Sequence, residues 1–219
     1  MVDFKYEDCF STDVDNWLQF ALKNKVKEVS LRMNFNQDFY ILLEMMYSNS
    51  SLTSLYLEGC ILDPERTIKW SSLTKLQISG VDLPQSVVEK NLSGCPVLNS
   101  LDLSECWGFT CLEINSQNLC ELRVRDSENE ESVGFLQISA PYITYLSLWL
   151  HHAGRQINLK DISSLVSASF YFIEPFWNLI IPEDDLSSTK EFFEKIHHIK
   201  ELELGPEPLK EYFIEPNFT

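Results

Sequence analysis

One spacing of apolar residues recurs along most of this 219-residue chain, in the form Leu-x-x-Leu-x-Leu-x-x-Cys. Two copies are complete, and they consist of Leu52, Leu55, Leu57 and Cys60, and of Leu98, Leu101, Leu103 and Cys106. Because residues two apart point to the same side of a strand, each copy predicts a short strand with one apolar edge. A single unit cannot bury that edge alone, so the units must stack into a solenoid.

All but the last of the intervals between copies of the motif lie within or close to the period of about 20–29 residues that leucine-rich repeats have. The last interval, of 34 residues, holds an insertion. The second leucine position of the motif is occupied by Val29, Leu55, Leu76, Leu101, Leu122, Leu146, Ala168 and Leu202. Strands of a β-sandwich instead recur every ~8–12 residues with hairpin turns, and this chain has no Asn-Gly or Asp-Gly pair. We therefore predict an α/β leucine-rich-repeat solenoid of about eight repeats, with a parallel concave sheet and short helices or irregular segments on the convex side.

The chain divides into four predicted parts. Residues 1–12 are expected to be a frayed N-terminal segment, and a helix over 13–25 is expected to cap the open end of the solenoid. The repeat domain is placed at 26–207, and the remaining residues 208–219 form a C-terminal tail. On the convex side, the sequence predicts helices over 38–47, 84–93 and 188–197 and short strands over 112–114 and 136–138. The buried side of the last helix is predicted to consist of Phe192, Phe193 and Ile196.

The charge and the apolar content exclude several classes of protein. A net charge of −16 argues against binding nucleic acid, whose phosphates require a concentrated Lys and Arg surface. The excess of acid is consistent with solubility or with a basic partner. No apolar run could cross a bilayer, and the first ten residues lack the apolar region of a signal peptide. We expect a monomer in the cytoplasm or nucleus, without membrane association.

The cysteines follow the repeat rather than a metal-binding pattern. Cys60 and Cys106 occupy the last motif position, where a small polar side chain bonds to the turn that leaves the strand. No Cys-x-x-Cys pair is present to suggest zinc. Cys111 and Cys120, like Cys106, are predicted to be buried as small apolar residues.

Neither a metal site nor a catalytic motif is predicted. The adjacent pairs His151-His152 and His197-His198 cannot converge alone, because neighbouring side chains diverge on a strand or a helix. The sequences G-x-S-x-G and H-E-x-x-H and a Gly-rich phosphate loop do not occur. We expect no cofactor and no enzymatic activity.

Residues that alternate with the motif leucines are expected on the concave face. Those near its centre include Arg, Tyr and Trp, the types that dominate interface hot spots, on strands about 4.8 Å apart. The candidate protein-binding residues on this face are Arg123, Arg125, Tyr145, Trp149, Tyr171, Tyr56 and Arg32. An acidic or extended peptide would suit them. The alternative is that they pack sideways on one another, with an insertion at 172–187 covering Trp149.

One segment resembles a known family closely. Residues 92–103 read L-S-G-C-P-V-L-N-S-L-D-L and resemble a repeat of plant F-box/LRR-repeat proteins. Further similar segments lie at 17–21, 26–29, 51–55, 139–141 and 199–204. In that family an F-box docks on the Skp adaptor of a cullin–RING ubiquitin ligase, and the repeats hold the substrate. The resemblance therefore implies a non-enzymatic scaffold for substrate recognition.

The resemblance does not extend to the F-box, which has no counterpart before Trp17. It therefore implies that this chain does not bind the Skp adaptor directly. An alternative function is a small-molecule receptor of the hormone type, which closes its concave face over a ligand and a polyphosphate. That function requires a dense ring of cations, and the concave positions supply Arg32, Lys75, Arg123 and Arg125.

Overall fold

The computed structural model describes residues 2–34, 39–65, 67–126, 134–150, 155–172 and 192–205. Its strands are β1 (Val2–Lys5), β2 (Glu28–Asn34), β3 (Tyr40–Ile41), β4 (Ser54–Glu58), β5 (Cys60–Ile61), β6 (Lys75–Ser79), β7 (Ser100–Ser104), β8 (Cys111–Glu113), β9 (Glu121–Arg125), β10 (Gly134–Ser139), β11 (Tyr145–Leu150), β12 (Arg155–Lys160), β13 (Ser167–Phe172) and β14 (Glu201–Leu204). Within these residues, one parallel sheet has the order β1-β2-β4-β6-β7-β9-β11-β13-β14. Smaller parallel sheets have the orders β12-β10-β8 and β3-β5. The predicted solenoid is confirmed.

The second leucine positions form one continuous row across the large sheet. Val29 lies opposite Leu55, and the register continues without a slip until Ala168 lies opposite Leu202. A slip of one residue would turn every leucine outward, so burial of the row fixes the register. Leu55 is fully buried, whereas Leu202 on the last described strand is 43% exposed.

Backbone hydrogen bonds at the start of the strands reinforce this register. The amides of Thr53 and Ser54 both donate to the Lys27 carbonyl, at 2.7 and 3.1 Å. The same paired donation recurs at the carbonyls of Thr53, Thr74, Asn99, Cys120, Thr144 and Val166. The hydroxyl of Thr53 also donates to Lys27. Each coil is therefore joined to the next at an equivalent point.

The turn after a concave strand has a repeated geometry. Gly59, Gly80 and Glu105 directly follow β4, β6 and β7 and have positive φ angles of 67°, 65° and 54°. In these turns the Cys60 thiol donates to the Glu58 carbonyl, and the Cys106 thiol donates to the Ser104 carbonyl, at 3.5 and 3.4 Å. The predicted role of the last motif position is therefore seen at two turns.

The cysteines differ in their exposure. All six are free, and burial raises the pKa of the Cys95 and Cys106 thiols to about 12, which keeps both thiols protonated. Burial of Cys106 is as predicted, but Cys111 and Cys120 are partly exposed, so that prediction was wrong for them. Both lie at the margins of convex or concave strands, where the motif places no apolar contact.

The N-terminus differs from the predicted frayed segment, because β1 pairs in parallel with β2. Helix α1 (Ser11–Lys23) begins two residues before the predicted start and joins these two strands. It buries Val14 and Leu18, and the Tyr40 hydroxyl donates to the Asp15 carboxylate at 2.7 Å. The helix is therefore the connection of the first coil, rather than a cap laid across the end of the sheet.

The convex side changes along the solenoid from helical to extended connections. Helix α2 (Gln85–Gly94) confirms the helix predicted over 84–93. The helix predicted over 38–47 is replaced by β3 and a 3₁₀ helix over Glu44–Tyr47. Pairing of β3 with β5 and donation from the Trp70 indole to the Met46 carbonyl favour this arrangement over the helical pattern.

Later connections form the three-stranded sheet of β8, β10 and β12. Strands β8 and β10 confirm the two predicted convex strands. The outer edge of β8 is bonded by a side chain, because the Gln85 amide donates to the Cys111 carbonyl and accepts from its N–H, at 2.9 and 3.2 Å. No helix in the described part of the chain is both long and apolar enough to cross a membrane.

The helix predicted over 188–197 lies partly outside the described residues. Residues 192–196 are helical, and Phe192 and Ile196 are buried as predicted. Phe193 is 36% exposed, so its predicted burial was wrong. Phe192 meets Phe170 of β13 edge to face, with ring centroids 5.4 Å apart. This contact attaches the helical segment 192–196 to the face of the sheet that carries the motif leucines.

Candidate protein-binding face

Three of the candidate residues lie side by side at the carboxyl ends of neighbouring concave strands. Arg125 ends β9, and it lies opposite Trp149 of β11 in the parallel register. Trp149 in turn lies opposite Tyr171 of β13. The alternation of side chains along each strand places all three on the face away from the leucines. We refer to Arg125, Trp149 and Tyr171 as the platform.

The platform is a continuous stack. The Arg125 guanidinium carbon lies 4.6 Å from the centroid of the Trp149 ring. On the other side, the Trp149 and Tyr171 centroids are 4.2 Å apart, with ring planes inclined by 29°. Such cation–π and stacked contacts hold both rings in place before any partner arrives.

Hydrogen bonds anchor the Tyr171 end of the platform. The Ser169 hydroxyl donates to the Glu203 carboxylate of β14 at 3.1 Å. A hydrogen bond with Glu203 is the main cause that raises the pKa of Tyr171, and Ser169 also bonds to its hydroxyl. Glu203 therefore fixes the orientation of the ring from the neighbouring strand.

Gly205 leaves room for the same ring. A Cβ atom at this position would lie 2.8 Å from Tyr171 Cδ1 and 2.9 Å from Tyr171 Cα, closer than side chains approach. Only glycine, which has no Cβ atom, fits at position 205 without a clash. The β14 side of the Tyr171 ring carries no side chain from position 205.

Small residues lie between the ring-bearing positions. Ser147 and Ser169 precede Trp149 and Tyr171 by two residues on the same face, and they are only 6% and 5% exposed. Side chains of this size leave space for the rings to lie close to the sheet. A larger residue at either position would lift the stack.

A second arginine and tyrosine pair lies beside the platform. The Arg123 guanidinium carbon is 5.0 Å from the Tyr145 ring centroid. Arg123 also forms an ion pair with Glu121 of the same strand at 3.0 Å. Glu121 further accepts from the Ser100 hydroxyl at 3.1 Å. The charge of Arg123 is therefore largely compensated within the sheet.

Arg32 and Tyr56 lie apart from the other candidates, on β2 and β4. Arg32 is 5.2 Å from the Tyr56 ring centroid and 3.7 Å from the Glu58 carboxylate. The Tyr56 hydroxyl donates to the same carboxylate at 2.6 Å. Burial, followed by this bond, raises the pKa of Tyr56 to about 12. We call Arg32, Tyr56 and Glu58 the closed group. The seven candidates thus form two separate groups.

Arg125 differs from the other two arginines in its counter-ion. It is exposed, and among the described residues it forms no ion pair. Arg32 and Arg123 both have carboxylate partners, so the described concave strands do not present the dense cationic ring that a polyphosphate requires. Arg125, which has no ion-pair partner among the described residues, lies at one end of the platform.

Several sequence-based expectations fall outside the described residues. They include the insertion proposed to cover Trp149, which lies almost entirely within 173–191, and the pair His151-His152. The sideways packing of the candidate residues on one another is seen in the ring contacts of the platform. In the described part of the chain, no group of three His, Cys, Asp or Glu side chains is placed to hold a metal ion.

Comparison with known proteins places this fold in a family. Residues 1–183 match the leucine-rich-repeat domain of the At1g61320/AtMIF1 family. The chain belongs to this family. The family match includes all three residues of the platform, whereas Glu203 and Gly205 lie beyond it.

Similar proteins from Arabidopsis thaliana carry the F-box name. The chain is 31% identical to F-box/LRR-repeat protein At3g03360, over 90% of this chain and 42% of that protein. It is 30% identical to F-box protein At5g03100, over 88% of this chain and 62% of that protein. The chain therefore spans less than two thirds of the length of these relatives. No solved structure matches it.

The candidate residues omit two that shape the platform, Glu203 and Gly205. The alternation of the motif places both on the concave face, Glu203 on β14 and Gly205 directly after it. Residue type did not single them out as neighbours of Tyr171. Their roles depend on a ring orientation that the spacing alone does not specify.

Proposed function

We propose that this chain is a protein-recognition module that binds a partner protein on its concave face, through the platform. The stacking of Arg125, Trp149 and Tyr171 is the observation that supports this function most strongly. Arg, Trp and Tyr are the residue types that contribute most to binding at interfaces.

The order already present in the platform favours binding. A partner that contacts a free side chain must restrict it, at a cost of roughly 0.5–1.5 kcal/mol for each flexible side chain. Stacking and the bond to Glu203 already restrict the two rings. More of the contact free energy is therefore available for affinity.

The names of the relatives and the resemblance of the repeats support a place in protein ubiquitination, on the side that recognises the substrate. We infer that these 219 residues select the protein to be modified and do not themselves attach to the ligase. Purified chain mixed with purified Skp adaptor should elute separately in size-exclusion chromatography. A stoichiometric complex would contradict the division of roles.

The binding function can be tested without knowing the partner. A phage-displayed library of random nonapeptides would be selected on immobilised wild-type protein and on Trp149→Ala. We expect enriched peptides on the wild type and loss of at least ~10-fold of that enrichment on the variant, because a hot-spot truncation costs more than about 1–2 kcal/mol. Tyr56→Ala is the matched control and should retain the enrichment.

Failure would be clear from the same selection. Peptides that bind Trp149→Ala as well as the wild type would place recognition elsewhere on the molecule. Circular dichroism spectra and thermal midpoints of both variants would show that each remains folded, so a loss on Trp149→Ala can be attributed to the platform.

A further inference from the structure

The two ends of the platform carry opposite charges. At the β9 end, Arg125 is exposed and forms no ion pair with another described residue. At the β14 end, Glu201 and Glu203 both alternate onto the concave face and are exposed. Glu203 is held by Ser169 and Tyr171, so its carboxylate is fixed next to the last ring.

The distance between these ends follows from the order of the strands. Strands β11 and β13 separate β9 from β14, which gives three inter-strand steps of ~4.8 Å, or about 14 Å across the strands. Glu203 lies opposite Ser169, two residues before the platform row, and its carboxylate reaches that row at the Tyr171 hydroxyl. An extended peptide advances about 3.3 Å for each residue. A segment that crosses the strands therefore covers this distance in about four residues.

We propose that the platform selects an extended peptide segment of the partner that crosses the strands, with an acidic residue over Arg125 and a basic residue, four positions away, over Glu203. This inference rests on the proposed function, because it specifies what the concave face recognises. The residues between the two charges lie over Trp149 and Tyr171 and contact the rings.

The Tyr171 end suits a basic side chain because a ring and a carboxylate lie side by side there. A Lys or Arg stem can lie against the half-exposed Tyr171 ring. Its cation then reaches the Glu203 carboxylate. A ring face and a fixed carboxylate together recognise a cation better than either does alone.

The charges set specificity more than affinity. Exposed ion pairs of this kind change affinity by only a few-fold each. A peptide placed with its charges exchanged, however, meets a like charge at both ends, which is the arrangement that excludes wrong partners. The stacked rings supply the affinity that is common to both orientations.

The peptide selection described above also tests this inference, with variants that change only charge. Gln at position 203 can still accept from Ser169 and Tyr171, so Glu203→Gln removes the charge and keeps the ring in place. On the wild type we expect enriched peptides with an acid and a base four positions apart. On Glu203→Gln the preference for Lys or Arg should fall by roughly threefold, and on Arg125→Gln the preference for Asp or Glu should fall similarly.

The double variant Arg125→Glu with Glu203→Lys gives the sharpest result. It exchanges the two charges, so the order of acid and base along the enriched peptides should reverse relative to the wild type. Glu58→Gln, in the closed group, should leave the preferences unchanged.

The outcomes separate this inference from the proposed function. Enriched peptides that are lost on Trp149→Ala but show no acid and base pattern would overturn the charge inference alone. The same holds for a pattern that persists on both Gln variants. If the enriched peptides also bind Trp149→Ala, the proposed function fails first.

Discussion

Arg32 over Tyr56 and Arg125 over Trp149 are contacts of one type, made between neighbouring strands at two separate places on the same concave sheet. The distances from the guanidinium carbon to the ring centroid are 5.2 and 4.6 Å. In the closed group, Glu58 pairs with Arg32 and accepts from the Tyr56 hydroxyl. At the platform, the described structure gives Arg125 a ring but no carboxylate.

The position of the carboxylate accounts for the difference. Glu58 lies opposite Arg32 in the register, so the closed group meets its own electrostatic needs within two strands. The position opposite Arg125 on β7 is Ser104, and the position opposite on β11 is Trp149. On the β14 side, the Glu203 carboxylate bonds to Tyr171 and Ser169 instead. Arg125 thus has neutral register neighbours on both sides, whereas Arg32 has an acidic one.

The largest expected effect is the difference between truncating the two aromatic side chains. With a labelled peptide from the selection, Trp149→Ala should weaken binding by about 30-fold, equivalent to about 2 kcal/mol. Tyr56→Ala should weaken it by less than ~3-fold, because the Tyr56 hydroxyl and its arginine are already engaged by Glu58. Fluorescence anisotropy titrations measure both. Equal losses would show that the two groups are equivalent.

The leucine motif predicts the large sheet and its register well, because each coil must bury the same row. The eight positions from Val29 to Leu202 do form that row. The first strand was missed since Val2–Lys5 carries only part of the motif. Its pairing with β2 joins residues almost thirty positions apart, which the local pattern does not specify.

The candidate residues were predicted less completely than the fold. Period two correctly places Arg125, Trp149 and Tyr171 on adjacent strands, but their stacking depends on rotamers. It also depends on Gly205, whose importance is steric and appears only when the Tyr171 ring is positioned. Selection by residue type placed Tyr56 among the candidates together with the platform residues. In the structure, three inter-strand steps separate its strand β4 from β9.

A pair of glycines offers an intermediate test of the same comparison. Gly205→Ala places a methyl group against Tyr171, and we expect it to lower the free energy of unfolding by about 1 kcal/mol. Gly59→Ala, beside the closed group, should cost a similar ~1 kcal/mol, because a φ of 67° disfavours a side chain. Urea unfolding measures both values.

Only the first of these variants should affect recognition. Displacement of Tyr171 should weaken peptide binding by about 3- to 10-fold, whereas Gly59→Ala should leave it within twofold. A Gly205→Ala protein with wild-type affinity and an unchanged near-ultraviolet circular dichroism spectrum would show that Tyr171 does not depend on the space at position 205.

The smallest effect concerns the ionisation of Tyr56 in the closed group. Its pKa is raised from 10 to about 12 in the folded protein, first by burial and then by the bond to Glu58. Folding therefore favours the protonated hydroxyl. The stability that this provides is complete below pH 10 and is lost as the pH rises towards 12.

Tyr56→Phe isolates this ionisation. The absorbance of tyrosinate near 295 nm, taken as the difference between wild type and variant, should rise close to pH 12. In Glu58→Gln the rise should move to lower pH and remain above 10, because burial is the larger cause. A difference curve centred at pH 10 would mean that Tyr56 is not enclosed by Arg32 and Glu58, and the contrast with the platform would disappear.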